Sequence, residues 1–285
     1  MSQRTAVAAL RRVEQARSQE NFPVALRVLP GRYRRHLLAI YAYARQIDDI
    51  GDEPLPDTTD RLAALDEIEA ELRALYAGRE VTHPVVRALG PTVVECRLPL
   101  DALVRLIEAN RVDQRVTRYA TFDQLVEYCT LSANPVGELV LHVFGQVGSA
   151  RIALSDRICT ALQLIEHLQD VAEDHRRSRI YLPAEDLDRF GVTEADLTRP
   201  TASRQLRDLI EFEAERACAW LDAGAPLVAA LHGWARLAVS GYLAGGRATL
   251  DALAAAGHDP LPATVRPEGR RILRRWLSAT VRSAG

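Results

Sequence analysis

The chain contains no lysine: all 36 basic residues among its 285 are arginine, a bias with no functional explanation in the sequence. Acids number 38, and the resulting formal net charge of −2 argues against a generally basic nucleic-acid binder. Cysteine is sparse. Cys96, Cys129, Cys159 and Cys218 form no CxxC pair, so their spacing indicates neither a zinc site nor a redox motif, and free thiols in a reducing cytoplasm are expected. The N-terminus lacks the apolar run of a secretory signal, and no window approaches the roughly 18 uninterrupted apolar residues of a membrane span. A cytoplasmic location is the expectation. Alternating β-type runs are scarce, no low-complexity linker divides the chain, and no short repeat suggests a solenoid. The Gly fingerprints of dinucleotide binding are missing, so no nicotinamide is expected.

What remains is helical period, carried by abundant Ala, Leu, Arg and Glu, with 48% hydrophobic and 26% charged residues as in a soluble domain with a sizeable core. The pattern predicts an all-α protein forming one domain over residues 1–285. Helices are expected over 3–18, 31–50, 59–76, 82–94, 99–112, 121–132, 134–149, 153–175, 203–223, 226–255 and 267–283. Prolines, among them Pro30, Pro54, Pro84, Pro99, Pro135, Pro183 and Pro226, fall between these segments or at their starts.

One segment breaks the apolar pattern. Residues 41–53 read YAYARQIDDIGDE, placing Asp48 and Asp52 one helical turn apart on a face that Tyr41 and Arg45 extend toward the N-terminus. Leu37, Leu38, Ile40 and Ile47 introduce the segment as core residues, so the acids sit at the end of a buried-looking helix. Like charges at this spacing repel, and burying them costs more. A hard cation would relieve them, and Mg²⁺ suits paired carboxylates that leave its other positions to water and phosphates. A solvated acidic helix end is the plain alternative.

A second copy of the pattern lies about 120 residues on. Gln163, Glu166, Asp170 and Asp174 step by three, four and four along one polar stripe, flanked by Leu162, Ile165, Leu168 and Val171. Two such helices would hold divalent ions, and the ions a diphosphate. Next comes the basic loop HRRSRIYLP at 175–183, where Arg179 and Tyr181 alternate with Ile180 and Leu182 and suggest a semi-buried extended segment. Its arginines either clamp phosphate oxygens or neutralise the acids, with Arg176 and Arg177 expected in solvent.

Three further stretches keep two readings each. Ser132, Ala133 and Gly137 flank Asn134-Pro135 and permit close approach of a ligand or of another backbone. Gly241, Gly245 and Gly246 lie in a long helical pattern with Tyr242, giving either room for an apolar chain or tight helix contact. The last predicted helix sets Ile272, Leu273, Trp276 and Leu277 against Arg270, Arg271, Arg274 and Arg275. It is either a peripheral membrane contact or a docked helix with a solvated face.

The motifs RQIDDIGDE at 45–53, YCTLSANPVGE at 128–138 and ALQLIEHLQDVAEDHRRSRIYLP at 161–183 resemble those of the squalene/phytoene synthase family, over nearly the whole chain. The resemblance implies an all-α isoprenoid (terpenoid) synthase fold, helices around a central cavity, and a prenyl diphosphate substrate. It implies two or three Mg²⁺ ions held by Asp48, Asp52, Asp170 and Asp174, with Glu166 as a further ligand. Arg45, Gln163 and Arg179 would hold phosphate oxygens, and Tyr41, Tyr181 and Tyr242 would line the cavity. ENFPVALRVLP at 20–30 and GGRATLDAL at 245–253 look most like the hydroxysqualene-forming branch, with Asn21 in the segment that helps bind the diphosphate. Presqualene diphosphate would then be the substrate; the alternative is head-to-head condensation of two farnesyl or geranylgeranyl diphosphates. Two positions depart from the family pattern: Glu166 stands where Asn is the common ligand, and Gln169 where many relatives have Arg.

Overall fold

The computed structural model describes residues 28–52 and 60–267. Asn21, the helix expected over 3–18 and nearly all of that expected over 267–283 lie outside the described residues. In chain order the helices are α1 (Gly31–Asp52), α2 (Arg61–Tyr76), α3 (Pro84–Cys96), α4 (Leu100–Asp113), α5 (Phe122–Ser132) and α6 (Asn134–Val143). They continue with α7 (Ser149–Gln169), α8 (Val171–Arg176), α9 (Ala184–Phe190), α10 (Arg204–Gly224), α11 (Leu227–Ala230) and α12 (Gly233–Ala255). A 3-10 turn spans Glu194–Thr198. Among the described residues there is no strand, only an isolated parallel bridge between Arg118 and Ile180. The protein is all-α, as its sequence period requires.

Local chemistry sets the helix starts. The side chains of Asp60, Thr121 and Ser203 accept from the backbone N–H of Leu62, Gln124 and Leu206 at 2.9, 3.3 and 3.2 Å, capping α2, α5 and α10, and Pro84 opens α3. The expected helix over 134–149 ends early. Gly145 takes a φ of 65°, and the N–H groups of Gly145 and Gln146 return to the carbonyls of His142 and Leu141, closing the helix. The helix expected over 153–175 starts at Ser149 and leaves helical geometry at Asp170 (φ −104°, ψ 15°), so α7 and α8 are separate. That expected over 226–255 is interrupted by extended Leu231 and by Gly233 at φ 56°.

Contacts group the chain into two compact units, one comprising residues up to 115 together with 135–147, the other 116–134 and 148 onward. In the first, α1 packs on α3 and α4, and α2 packs on the same pair. Of the four residues expected in the core, Leu37, Ile40 and Ile47 are buried, each contributing about 1.5–3 kcal/mol by its removal from water, and Leu38 is only half-buried. Tyr43 is fully buried and its hydroxyl donates to the carbonyl of Leu103 at 3.1 Å, tying α1 to α4. Arg111 on α4 pairs with Glu69 at 2.7 Å and with Asp66, both on α2.

In the second unit the longest interface is between α7 and α10, with α12 against both. Glycine makes these contacts possible. A Cβ on Gly224 would meet Ile158 Cγ1 at 2.6 Å and the Leu154 carbonyl oxygen at 2.9 Å; one on Gly246 would meet Leu162 Cδ2 at 2.8 Å. Of the two readings of Gly246, tight helix contact is the one observed. Behind α10, Arg216 donates to Asp186 at 2.9 Å and to Glu213 at 3.2 Å, while its guanidinium lies 4.1 Å from the Phe122 ring centroid and 4.5 Å from that of Phe212. Burial pushes the Glu213 carboxyl above the usual range, Arg216 opposes that, and the hydrogen bond with Asp186 raises it further.

Two outcomes follow. Gly224→Ala, whose methyl meets backbone, is expected to lower unfolding free energy by about 1–3 kcal/mol in urea, and more than Gly246→Ala, whose methyl meets only the side-chain ends of Leu162, Leu221 and Ile165. Because folded Glu213 holds its proton above the pH at which the unfolded chain releases it, stability falls as pH rises out of the ordinary glutamate range. Glu213→Gln should flatten that fall in a series of thermal melts from acid to alkaline pH.

Candidate active site

The first acid stripe sits on the last turns of α1. Asp48 keeps solvent-accessible surface, yet protein crowds it closely enough that burial pushes its carboxyl up to about 6. A hydrogen bond from Asn110 opposes that rise, and the charge of Asp52 one turn on adds to it. The atoms of Asp48 still reach solvent, so the rise is that of a crowded side chain and not of a sealed one. Arg45 is engaged with Asp49, its Nε 2.7 Å from Oδ1, one helical turn away. Tyr41 is half-buried on the same helix, and Asp52 is its last residue.

The second stripe begins on α7 with half-buried Gln163 and exposed Glu166, passes the helix break at Asp170, and ends at Asp174 in α8. The amide N–H of Asp170 still bonds to the Glu166 carbonyl and that of Asp174 to the Asp170 carbonyl, at 3.0 and 2.8 Å. The i, i+4 ladder thus survives the break, and the three carboxylates remain neighbours. Burial pushes the mostly buried Asp174 up to about 8, and Asp170 and Glu166 push it further the same way. Asp170 is raised by burial and by Glu173, while Thr264 and Arg266 oppose the rise. Glu166, where the family pattern has Asn, thus adds charge to a crowded acid group.

After α8 the chain runs to Arg179, half-buried, and Tyr181. Arg176 and Arg177 are exposed, as predicted. The expected alternation does not hold, because Tyr181 is as buried as Ile180 and Leu182. Its ring is enclosed by aromatic neighbours: it stacks on His167 at 3.8 Å between centroids and 14° between planes, and stands 5.8 Å from both Tyr119 and Tyr128. Burial holds the His167 imidazole down to about 3, so it is neutral. Its Nε2 lies 3.3 Å from the Gln163 amide nitrogen and its Nδ1 4.0 Å from an Asp174 oxygen. Gln163, His167, Tyr181 and Asp174 are therefore one connected group. Tyr242 sits on α12, and its hydroxyl is pushed up to about 12 by burial and by Cys159.

Sequence spacing did not single out His167, Tyr119 or Asn110, and Tyr128 stood in a quoted motif without a role. Only the aromatic and imidazole side chains beside the acid motif could have signalled the cluster.

Among the described residues no three His, Cys, Asp or Glu groups are gathered around one ion-sized point. Mg²⁺ takes one or two protein carboxylates and completes its shell with water and phosphate oxygens. The donors are all hard oxygens, and the upward shifts of Asp48 and Asp174 show carboxylates held where their charge is poorly offset. The residues fit the cation. Asp174 also costs stability: its folded carboxyl is raised, so the penalty grows as pH climbs from the ordinary aspartate range and is complete above about 8. Asp174→Asn is expected to raise the melting temperature of metal-free protein, by more at pH 8 than at pH 5, and to abolish stabilisation by Mg²⁺ with pyrophosphate in the same melts.

The family model for squalene/phytoene synthase matches residues 15–276. A hydroxysqualene synthase of Zymomonas mobilis is 37% identical over 216 residues, covering 75% of this chain and 71% of its own. A phytoene synthase of Mycobacterium tuberculosis is 34% identical over 213 residues, 73% of this chain and 68% of its own. Among solved structures, squalene synthase HpnC from Alicyclobacillus acidocaldarius superposes with a TM-score of 0.79 at 42% identity, covering 88% of this chain and 93% of that one. A dehydrosqualene synthase at 23% identity, with a TM-score of 0.86 over 98% of each chain, shares the all-α isoprenoid synthase fold. Acid stripes, helical architecture and extended similarity agree: the chain belongs to the squalene/phytoene synthase family.

Proposed function

We propose that the chain converts presqualene diphosphate and water to hydroxysqualene and diphosphate, with Asp48, Asp52, Asp170, Asp174 and Glu166 as the residues that hold two or three Mg²⁺ ions. The observation carrying this reading is the crowding of Asp170, Asp174 and Glu166 next to the enclosed rings of Tyr181, Tyr128, Tyr119 and His167. Acids that favour a cation stand beside aromatic faces that favour a carbocation. Choice of branch is supported by the similarity to proteins named hydroxysqualene synthase and to squalene synthase HpnC.

The carbon–oxygen bond to diphosphate breaks heterolytically, leaving both electrons on the departing oxygen. Magnesium, when bound, offsets the charge that grows there, worth several kcal/mol. Arg45, Arg179 and Gln163 orient the phosphate oxygens, Arg45 by exchanging Asp49 for them. Tyr41 and Tyr242 would face the cyclopropylcarbinyl cation with π density while its skeleton rearranges, and Tyr181, stacked on His167 and Tyr128, would support that wall from within the protein. His167, uncharged through burial, adds no repulsion beside Tyr181. Water then forms the new carbon–oxygen bond and loses a proton. No hydride is consumed, so no nicotinamide is required.

The similarity to phytoene synthases favours a second reading, head-to-head condensation of two prenyl diphosphates. Purified protein given Mg²⁺, presqualene diphosphate and heavy-oxygen water, without nicotinamide, should yield labelled hydroxysqualene by mass spectrometry. Asp48→Ala should lose that turnover and keep the helical circular dichroism. Products arising only from farnesyl or geranylgeranyl diphosphate would sink the first reading in favour of the second.

A further inference from the structure

Asp48 takes its side-chain hydrogen bond from a neutral donor on a neighbouring helix, while Arg45 of its own helix acts on it through charge alone. Asn110, buried on α4, donates from Nδ2 to Asp48 Oδ1 at 3.1 Å and to the Leu106 carbonyl of its own helix at 3.4 Å. Its other amide atom lies against α1: a Cβ placed on Gly51 would stand only 2.1 Å from Asn110 Oδ1. Just past the end of α4, Gln114 donates to the Gly51 carbonyl at 3.3 Å and to the Asn110 carbonyl at 3.2 Å. The end of α1 is thereby pinned to α4 on both sides of Gly51. Meanwhile Arg45, the cation on the same helix, is occupied by Asp49.

We infer that Asn110 is a positioning residue for Asp48, and that Gly51 is glycine in order to admit it; the inference rests on the metal-binding reading above. A carboxylate on an unrestrained side chain must give up rotamer freedom when it takes a cation. Here one oxygen is already held by a neutral amide, which fixes the side chain and leaves the second oxygen for the ion. Hydrogen bonds of this kind to ligating carboxylates are worth about 10–100-fold in metal affinity.

Two substitutions reach this contact from opposite sides. Asn110→Leu keeps the branched shape and heavy-atom count of the side chain and removes the donor. Gly51→Ala adds a methyl where the Asn110 amide lies and forces it away from Asp48, yet alanine favours the helix by about 1 kcal/mol, so the fold is not weakened by the change of propensity. Mn²⁺ uptake by the intact chain with inorganic pyrophosphate, followed by loss of the free-ion electron paramagnetic resonance signal, is the measurement. Both variants should bind Mn²⁺ about 10-fold or more weakly than the parent. A packing role alone would lower the melting temperature of Asn110→Leu and leave Mn²⁺ affinity unchanged in both, overturning the inference while the metal reading stands. A parent protein that takes up no Mn²⁺ with pyrophosphate overturns both.

Discussion

Carboxylates held too close together and too far from water are the constraint on which the rest of this protein depends. Asp174 feels burial first and then the charges of Asp170 and Glu166, all within two turns of chain. Nothing in an apo helix gains from such an arrangement, and like charges at this spacing oppose helix formation. The unit must hold α7 and α8 in place by other means: the glycine-mediated approach of α10 and α12, and buried Leu168, Val171, Ile180 and Leu182 on either side of the acids.

The two acid stripes meet this constraint differently. On α1 the carboxylate that matters has an amide from α4 on one oxygen, and the adjacent Asp49 takes the arginine. On α7 and α8 the acids face one another, with a neutral imidazole behind Asp174 and Thr264 and Arg266 near Asp170. The first stripe is therefore pre-set in geometry, and the second is loaded in charge.

Much of this was legible in the sequence because it is local. The ends of α1, α2, α4, α5 and α10 fall within two residues of where period and capping residues put them, and the aspartates at i and i+4 announced the candidate ligands before any contact was known. What escaped detection depends on tertiary partners. Asn110 lies 62 positions from Asp48, and Tyr119 the same distance from Tyr181, separations that carry no periodic signal. The break at Asp170 escaped for another reason: its backbone bonds continue the helical ladder, so the residue pattern is that of an unbroken helix. Short α9 and the turn at Glu194–Thr198 span too few residues for a period to emerge.

The enclosed tyrosines have an optical consequence. Tyr119, Tyr128 and Tyr181 are chromophores held at fixed mutual angles of 45°, 22° and 30° in an asymmetric setting. Their transition dipoles couple, so the second unit carries a near-ultraviolet circular dichroism signature that exists only while the rings keep this geometry. Loosened packing erases such a band and leaves the far-ultraviolet helix signal intact. The band therefore reports the packing of this one aromatic group, separately from the helices around it.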